Sequence, residues 1–273
     1  MISYTPNFED VLLWRCFKDS GTGFYVDVGA NHPSHSSVTR WFYEQGWSGI
    51  NIEPTDMIRL LREDRPRDIN LEIALADYEG VANFYYHSGN AGTSTLQEDS
   101  PQSVLQKAGK VVELKVRVST LEKVLAEHAQ GRDIHFLKID AEGAEDAIVR
   151  AAGLDRFRPK IIVIESTEPY TTNRKQSEWQ QRLEAARYRF AYFDGINDFW
   201  VREESLELLE RFSVPINVLD DFQVYNYEVA GLRRQVAALE QKIRALGGTT
   251  GKAKRRKSRI KRAIKAVRRW AQV

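Results

Sequence analysis

The chain has 273 residues, 42% of them hydrophobic and 11% aromatic, with 40 Lys and Arg against 38 Asp and Glu and a single cysteine. That apolar content supplies a core and excludes global disorder, while Cys16 alone excludes an internal disulfide or a cysteine-built zinc site and suits a reducing compartment. The net charge of +2 hides an asymmetry: residues 249–273 carry eleven basic side chains and no acid, which leaves 29 basic against 38 acidic residues in the first 248.

Short apolar runs alternate with helical patterns through the first two hundred residues. Residues 23–28 read as a strand and residues 36–45 as a helix, opened by Ser36 and closed by Gly46. A strand is expected at residues 49–53, a helix at 56–63 and a strand at 70–76. Residues 81–87 and 111–118 form a hairpin-like pair around a polar, Gly/Ser/Thr-rich stretch, residues 88–95, which suits either a segment folded over a polar substrate or a surface loop. Ser119 opens a helix, with Glu122 three residues on as in a capping box. Buried-looking strands follow at 135–139 and 160–165. Residues 188–193 and 198–202 flank the turn-rich Asp194-Gly195-Ile196-Asn197, the pattern of an antiparallel hairpin. The alternation predicts an α/β domain over residues 1–220, its sheet mostly parallel, covered on both faces and finished by an antiparallel edge hairpin.

Beyond the domain, Phe222, Val229, Val236 and Ile243 recur every seven residues, as do Tyr225, Leu232, Leu239 and Leu246. These a and d positions predict a coiled-coil helix over residues 221–247 that joins copies of the chain into a dimer or trimer; a single helix folded back on its own domain is the alternative. A glycine-rich hinge at 247–251 leads to a basic amphipathic helix. There Ile260, Ile264, Val267 and Trp270 share one face and Lys and Arg fill much of the other, the pattern of a helix lying on an anionic membrane surface. A disordered basic tail is the plainer reading, and nucleic acid would not need the apolar stripe. No run of about 18 apolar residues exists, and residues 1–10 lack the features of a signal peptide, so the chain is expected in the cytoplasm, peripheral on the inner face of the membrane.

In open α/β sheets a ligand sits beyond the carboxyl ends of the strands. After the first strand comes Asp27-Val28-Gly29-Ala30-Asn31, where Gly29 would let the backbone approach a ligand. The G-x-G-x-x-G pyrophosphate fingerprint is absent, which argues against NAD or FAD. Glu53-Pro54 ends the second strand, where an acid would accept from ribose hydroxyls, and Ala76-Asp77 ends the third, where Asp77 would accept from an adenine amino group or simply make a turn. The fourth strand ends in Lys138-Ile139-Asp140-Ala141-Glu142-Gly143-Ala144-Glu145. Acids in a first helical turn are favoured by the dipole alone, which explains Glu142 or Glu145 more readily than Asp140.

With the blocks Phe24-Tyr25-Val26-Asp27-Val28-Gly29-Ala30-Asn31, Ile52-Glu53-Pro54, Lys138-Ile139-Asp140-Ala141-Glu142-Gly143-Ala144-Glu145 and Ile162-Val163-Ile164-Glu165, the chain resembles FkbM-type methyltransferases from about residue 20 to residue 220. The resemblance implies a Rossmann-like class I methyltransferase sheet, S-adenosylmethionine as cofactor and methylation of a hydroxyl, often on a sugar. It also implies that Asp27, Gly29, Asn31 and Glu53 hold the cofactor, joined by Ala30, Pro54, Ala76 and Asp77 from strand-end placement, and that Asp140 and Glu142 line the reaction centre. A hydroxyl must lose its proton, and Asp140, Glu142 or a histidine of the loop His32-Pro33-Ser34-His35 is in place to take it, His32 first. His32 and His35 with Asp140 are an alternative set for a divalent metal that acidifies the hydroxyl, but no complete ligand set is visible and no metal is predicted. The expected acceptor is a sugar of a bacterial surface glycan or its lipid-linked precursor; an RNA methyltransferase using the basic tail and a non-catalytic cofactor-binding scaffold are the alternatives.

Overall fold

The computed structural model describes residues 1–87, 90–95, 111–168 and 171–245. Two compact units divide it, Met1–Gln223 and a second beginning at Val224, and each is taken by itself. The glycine-rich hinge, the basic amphipathic helix and residues 88–89 lie outside the described residues.

The first unit is built on a seven-stranded sheet. Its strands are β2 (Phe24–Val28), β3 (Ser48–Ile52), β4 (Ile69–Leu71), β9 (Ile134–Ile139), β10 (Ile161–Glu165), β11 (Tyr188–Phe193) and β12 (Asn197–Arg202), in the order β11-β12-β10-β9-β2-β3-β4. All neighbouring pairs from β10 to β4 are parallel. The antiparallel strand is β12, which lies second from the edge between β10 and β11. The expected edge hairpin is therefore present, with its second strand tucked inward. Its turn is closed by Asp194, whose Oδ1 accepts from the Ile196 and Asn197 amides at 2.8 and 2.7 Å.

Side chains on the central strands alternate between two buried layers, as the period of two requires. Phe24, Val26 and Val28 pack with Leu137, Ile162 and Ile164 against helices α4 (Leu121–His128), α5 (Glu145–Arg150) and α6 (Trp179–Ala185). On the other face, Tyr25, Phe136 and Val163 pack against α1 (Glu9–Phe17) and α2 (Arg40–Glu44) through Leu12, Leu13, Phe17 and Phe42. Near the unit's end Phe222, an expected heptad position, packs on Phe8 with ring centroids 5.1 Å apart and planes tilted by 56°.

Three boundaries differ from the sequence reading for physical reasons. The helix expected from Ser36 begins only at Arg40, because Ser36 has φ +52° and the hydroxyls of Ser37 and Thr39 are taken by the buried guanidinium of Arg65. The cap of α4 is Thr120, accepting from the Lys123 amide at 3.2 Å, while Ser119 still belongs to a strand. The strand expected at 70–76 is two strands in two sheets. After β4 the chain bends, and β5 (Ala74–Leu75) joins a four-stranded sheet, β5-β8-β6-β7, with β6 (Gly80–His87), β7 (Asn90–Thr95) and β8 (Val111–Ser119). The predicted pairing of β6 with β8 is present, antiparallel, and part of the expected polar loop is strand β7.

In the second unit, helix α7 spans Tyr227–Ala245. Tyr225 therefore precedes the helix, which carries heptad positions 229 to 243, and Leu246 lies outside the described residues. Among the described residues no helix is long and apolar enough to cross a membrane.

Candidate active site

The carboxyl ends of β2, β3 and β9 are laced together by backbone bonds. The Gly29 and Ala30 amides donate to the Ile52 carbonyl at 3.0 and 3.2 Å, and the Asp140 amide to the Val28 carbonyl at 3.1 Å. Gly29 has φ +75°, and a Cβ there would stand 1.9 Å from the Asp140 carbonyl oxygen. Only glycine permits the strand-end turns to cross so closely.

Beside this crossing lies a cleft of about 640 Å³, counting the part open to solvent, lined by Gly29, Asn31, Glu53, Pro54, Asp140 and Glu142 among others. The remaining wall is apolar: Val28, Ile52, Ala141 and Ala144 from the main sheet and its turns, and Ile73, Ala74, Leu75 and Phe84 from the bend and the second sheet.

Glu53 is buried, and its Oε2 accepts from the Asn31 amide at 2.8 Å while Oε1 accepts from the Thr55 amide and hydroxyl at 2.9 and 2.6 Å. Burial raises its carboxyl above the usual range against those three bonds. Of the roughly four acceptor sites on a carboxylate, about one remains for a ligand. Asn31 takes φ +48° to present its amide to this carboxylate.

Asp140 receives a hydrogen bond from Lys138 Nζ at 3.1 Å. Lys138 is buried in a strand that is apolar but for it and His135; burial alone would lower it, but Asp140, Asp27 and Glu9 hold the ammonium well above its ordinary value. Around Asp140 stand Glu142, Glu145 and Glu165. The Glu145 carboxylate closes the helix entry by accepting from the Ala141 and Gly143 amides at 3.1 Å, and Lys175 reaches Glu165 at 3.4 Å and Glu145 at 3.8 Å. Desolvation first, then the neighbouring acids, raises both Glu142 and Glu165 above the carboxylate range. Among the described residues no group of three or more His, Cys, Asp or Glu is arranged to hold a metal ion.

The remaining expected residues lie elsewhere. Asp27 faces away from the cleft, its Oδ2 accepting from Thr39 at 3.0 Å and its Oδ1 standing 3.8 Å from Lys138 Nζ. Ala30 is buried against Ile58 and Leu61. Ala76 is packed in the second sheet, and Asp77 pairs with Arg150 at 2.6 Å on the surface. The Nδ1 of His32 accepts from the Ser34 and His35 amides at 3.1 and 2.9 Å. His32 is not among the residues lining the cleft.

Sequence reasoning gave no role to Phe84, Ile73, Leu75 or Lys175, all brought in by long-range folding. Lys138 did carry a signal, a lone formal charge in the strand Ile134–Ile139, whose other residues are apolar except His135.

An apolar wall beside a buried acceptor, with further carboxylates at the end of β9, fits a nucleoside carrying a positively charged substituent. No curated protein matches the chain. Among solved structures it is similar to TrmK of M. capricolum, solved with the natural cofactor product S-adenosylhomocysteine, at 9% identity, 96% coverage of each chain and a TM-score of 0.36, which is too distant to carry an argument. The family model described as the methyltransferase FkbM domain matches residues 27–190, more than half of the chain. The protein thus belongs to the FkbM methyltransferase family, with S-adenosylmethionine as its cofactor.

Proposed function

We propose that the protein is an O-methyltransferase whose acceptor is a hydroxyl, on a sugar of a bacterial surface glycan or its lipid-linked precursor. The observation that carries this reading is the pair of carboxylates, Asp140 and Glu142, in the wall of the cleft. The cofactor supplies a methyl group on a sulfonium, open to in-line displacement by the acceptor oxygen.

The chain's own residues divide the remaining work. Glu53 and the Gly29 turn hold the nucleoside end, with Glu53 taking one ribose hydroxyl through its remaining acceptor site. Asp140, tied to the Lys138 ammonium at 3.1 Å, orients the acceptor hydroxyl. Glu142 takes the acceptor's proton, a role worth typically 10²–10⁴-fold in rate. Glu142→Gln should lower kcat by at least about a hundredfold, and Asp140→Asn should raise KM for the acceptor as well. The test is transfer from labelled S-adenosylmethionine to sugar acceptors or to total RNA; label found only in RNA would sink the sugar reading.

Charge complementarity supports a membrane address for residues 252–273, and the heptad positions on α7 support oligomerisation through residues 222–246. Truncation after residue 248 is expected to abolish sedimentation with anionic liposomes while leaving transfer to a soluble acceptor and the mass by light scattering unchanged. A full-length monomer at micromolar concentration would refute the oligomer, and unchanged sedimentation would refute the membrane role.

A further inference from the structure

Of the carboxylates gathered beyond β9 and β10, all but one are engaged. Asp140 has Lys138 at 3.1 Å, Glu165 has Lys175 at 3.4 Å, and Glu145 has two backbone amides. Glu142, which lines the cleft, makes no hydrogen bond or ion pair among the described residues. The charged groups facing it are Asp140 from the end of β9, Glu165 from the end of β10, Glu145 from α5 and Lys175 from the segment after β10. Three acids thus confront it against one ammonium, and that ammonium is already shared between Glu145 and Glu165. Burial comes first and the repulsion adds to it, and both favour the protonated side chain in the free cleft. A positive charge brought into the same cleft reverses the balance, because only the ionised form is attracted to it.

We propose that Glu142 exchanges its proton for the positive charge on the cofactor's sulfur: it is a neutral acid in the free cleft and beside the thioether product, and a carboxylate when the sulfonium cofactor is bound. The proposal rests on the hydroxyl-transfer reading above. In the transfer step the C–S bond breaks and its electron pair stays on sulfur, the C–O bond forms, and the acceptor O–H proton passes to a Glu142 carboxylate oxygen. Positive sulfur and negative carboxylate are discharged together. The cleft is left with a neutral acid beside a neutral thioether, the ionisation state that the surrounding acids already favour. Glu142 then gives the product no electrostatic hold, and the next cofactor expels the proton to solvent.

Calorimetric titration of the full chain at pH 7.5, in two buffers of different ionisation enthalpy, counts the protons released by S-adenosylmethionine and, separately, by S-adenosylhomocysteine. The expected counts are close to one for the first and close to zero for the second. The preference for the sulfonium cofactor should accordingly rise with pH by up to about tenfold per unit between pH 6 and 8. Glu142→Gln should remove the proton release and the pH dependence while binding S-adenosylhomocysteine within about twofold of wild type, which also reports that the variant is folded. Glu165→Gln should retain the release. Equal counts for the two ligands, or a release that persists in Glu142→Gln, would overturn the proposal while leaving the cofactor reading intact. Binding of neither ligand would remove both.

Discussion

Gly29→Ala is expected to destabilise the domain by about 3–4 kcal/mol and to lower turnover about a hundredfold. The added methyl would meet the Asp140 carbonyl at 1.9 Å, and the clash is with backbone, which no rotamer change relieves. A φ of +75° adds about 1–2 kcal/mol for any residue bearing a Cβ. Relief requires the ends of β2 and β9 to separate, and a displacement of about 1 Å between reacting groups costs on the order of a hundredfold in rate. Denaturant unfolding and calorimetric titration with S-adenosylhomocysteine check both halves. A Gly29→Ala protein of native stability that binds the product normally would show that the crossing is looser than its geometry.

Arg65→Met is expected to cost about 3–5 kcal/mol, lowering Tm by about 10 °C. Arg65 is fully buried at the end of α3 (Met57–Asp64), where its guanidinium donates to the Pro33 carbonyl, Ser37 and Thr39 and stands 3.8 Å from Asp68. Asp68 in turn accepts from the Tyr25 hydroxyl at 2.6 Å, the Gly49 amide at 2.9 Å and Asn51 at 3.0 Å. Methionine fills much of the volume but strands these acceptors and leaves Asp68 without its cation. Arg65→Lys keeps the charge without the planar fork, so an intermediate loss is expected. A thermal melt of the two variants separates charge from geometry: equal losses would mean that the fork is what matters.

The fold was legible where burial alternates regularly. β2, β3, β9 and β10 were found within one residue at either end because each is an apolar run bounded by polar turns. The strand ends then placed Gly29, Asn31, Glu53, Pro54, Asp140 and Glu142 at one cleft without further information. What failed was what depends on partners distant in the chain. Asp27 has the right position in sequence, but strand alternation turns it toward Thr39 and Lys138, on the face opposite Val28. Asp77 follows an apolar run, yet the bend between β4 and β5 carries it to Arg150. Ser36 has the composition of a helix cap, and only the arrival of Arg65 from 29 positions later redirects its neighbours. Phe84 lies on an expected strand pair, and its reach to the cleft depends on the parallel pairing of β5 with β8, which no local pattern specifies.

The second sheet leaves and rejoins the domain at a single place. β5 and β8 pair in parallel, Ala74 with Val118 and Leu75 with Ser119, and the Ala76 amide donates to the Ser119 carbonyl at 3.0 Å. The chain between Leu75 and Ser119 is therefore an excursion with its two ends fastened side by side. It contributes Phe84 to the cleft, while the turns after β2, β3 and β9 belong to the frame it departs from. Such an excursion can lengthen, shorten or change its side chains without shifting the frame, so the wall at Phe84 is free to vary while the turns that gather Gly29, Glu53 and Asp140 stay in place.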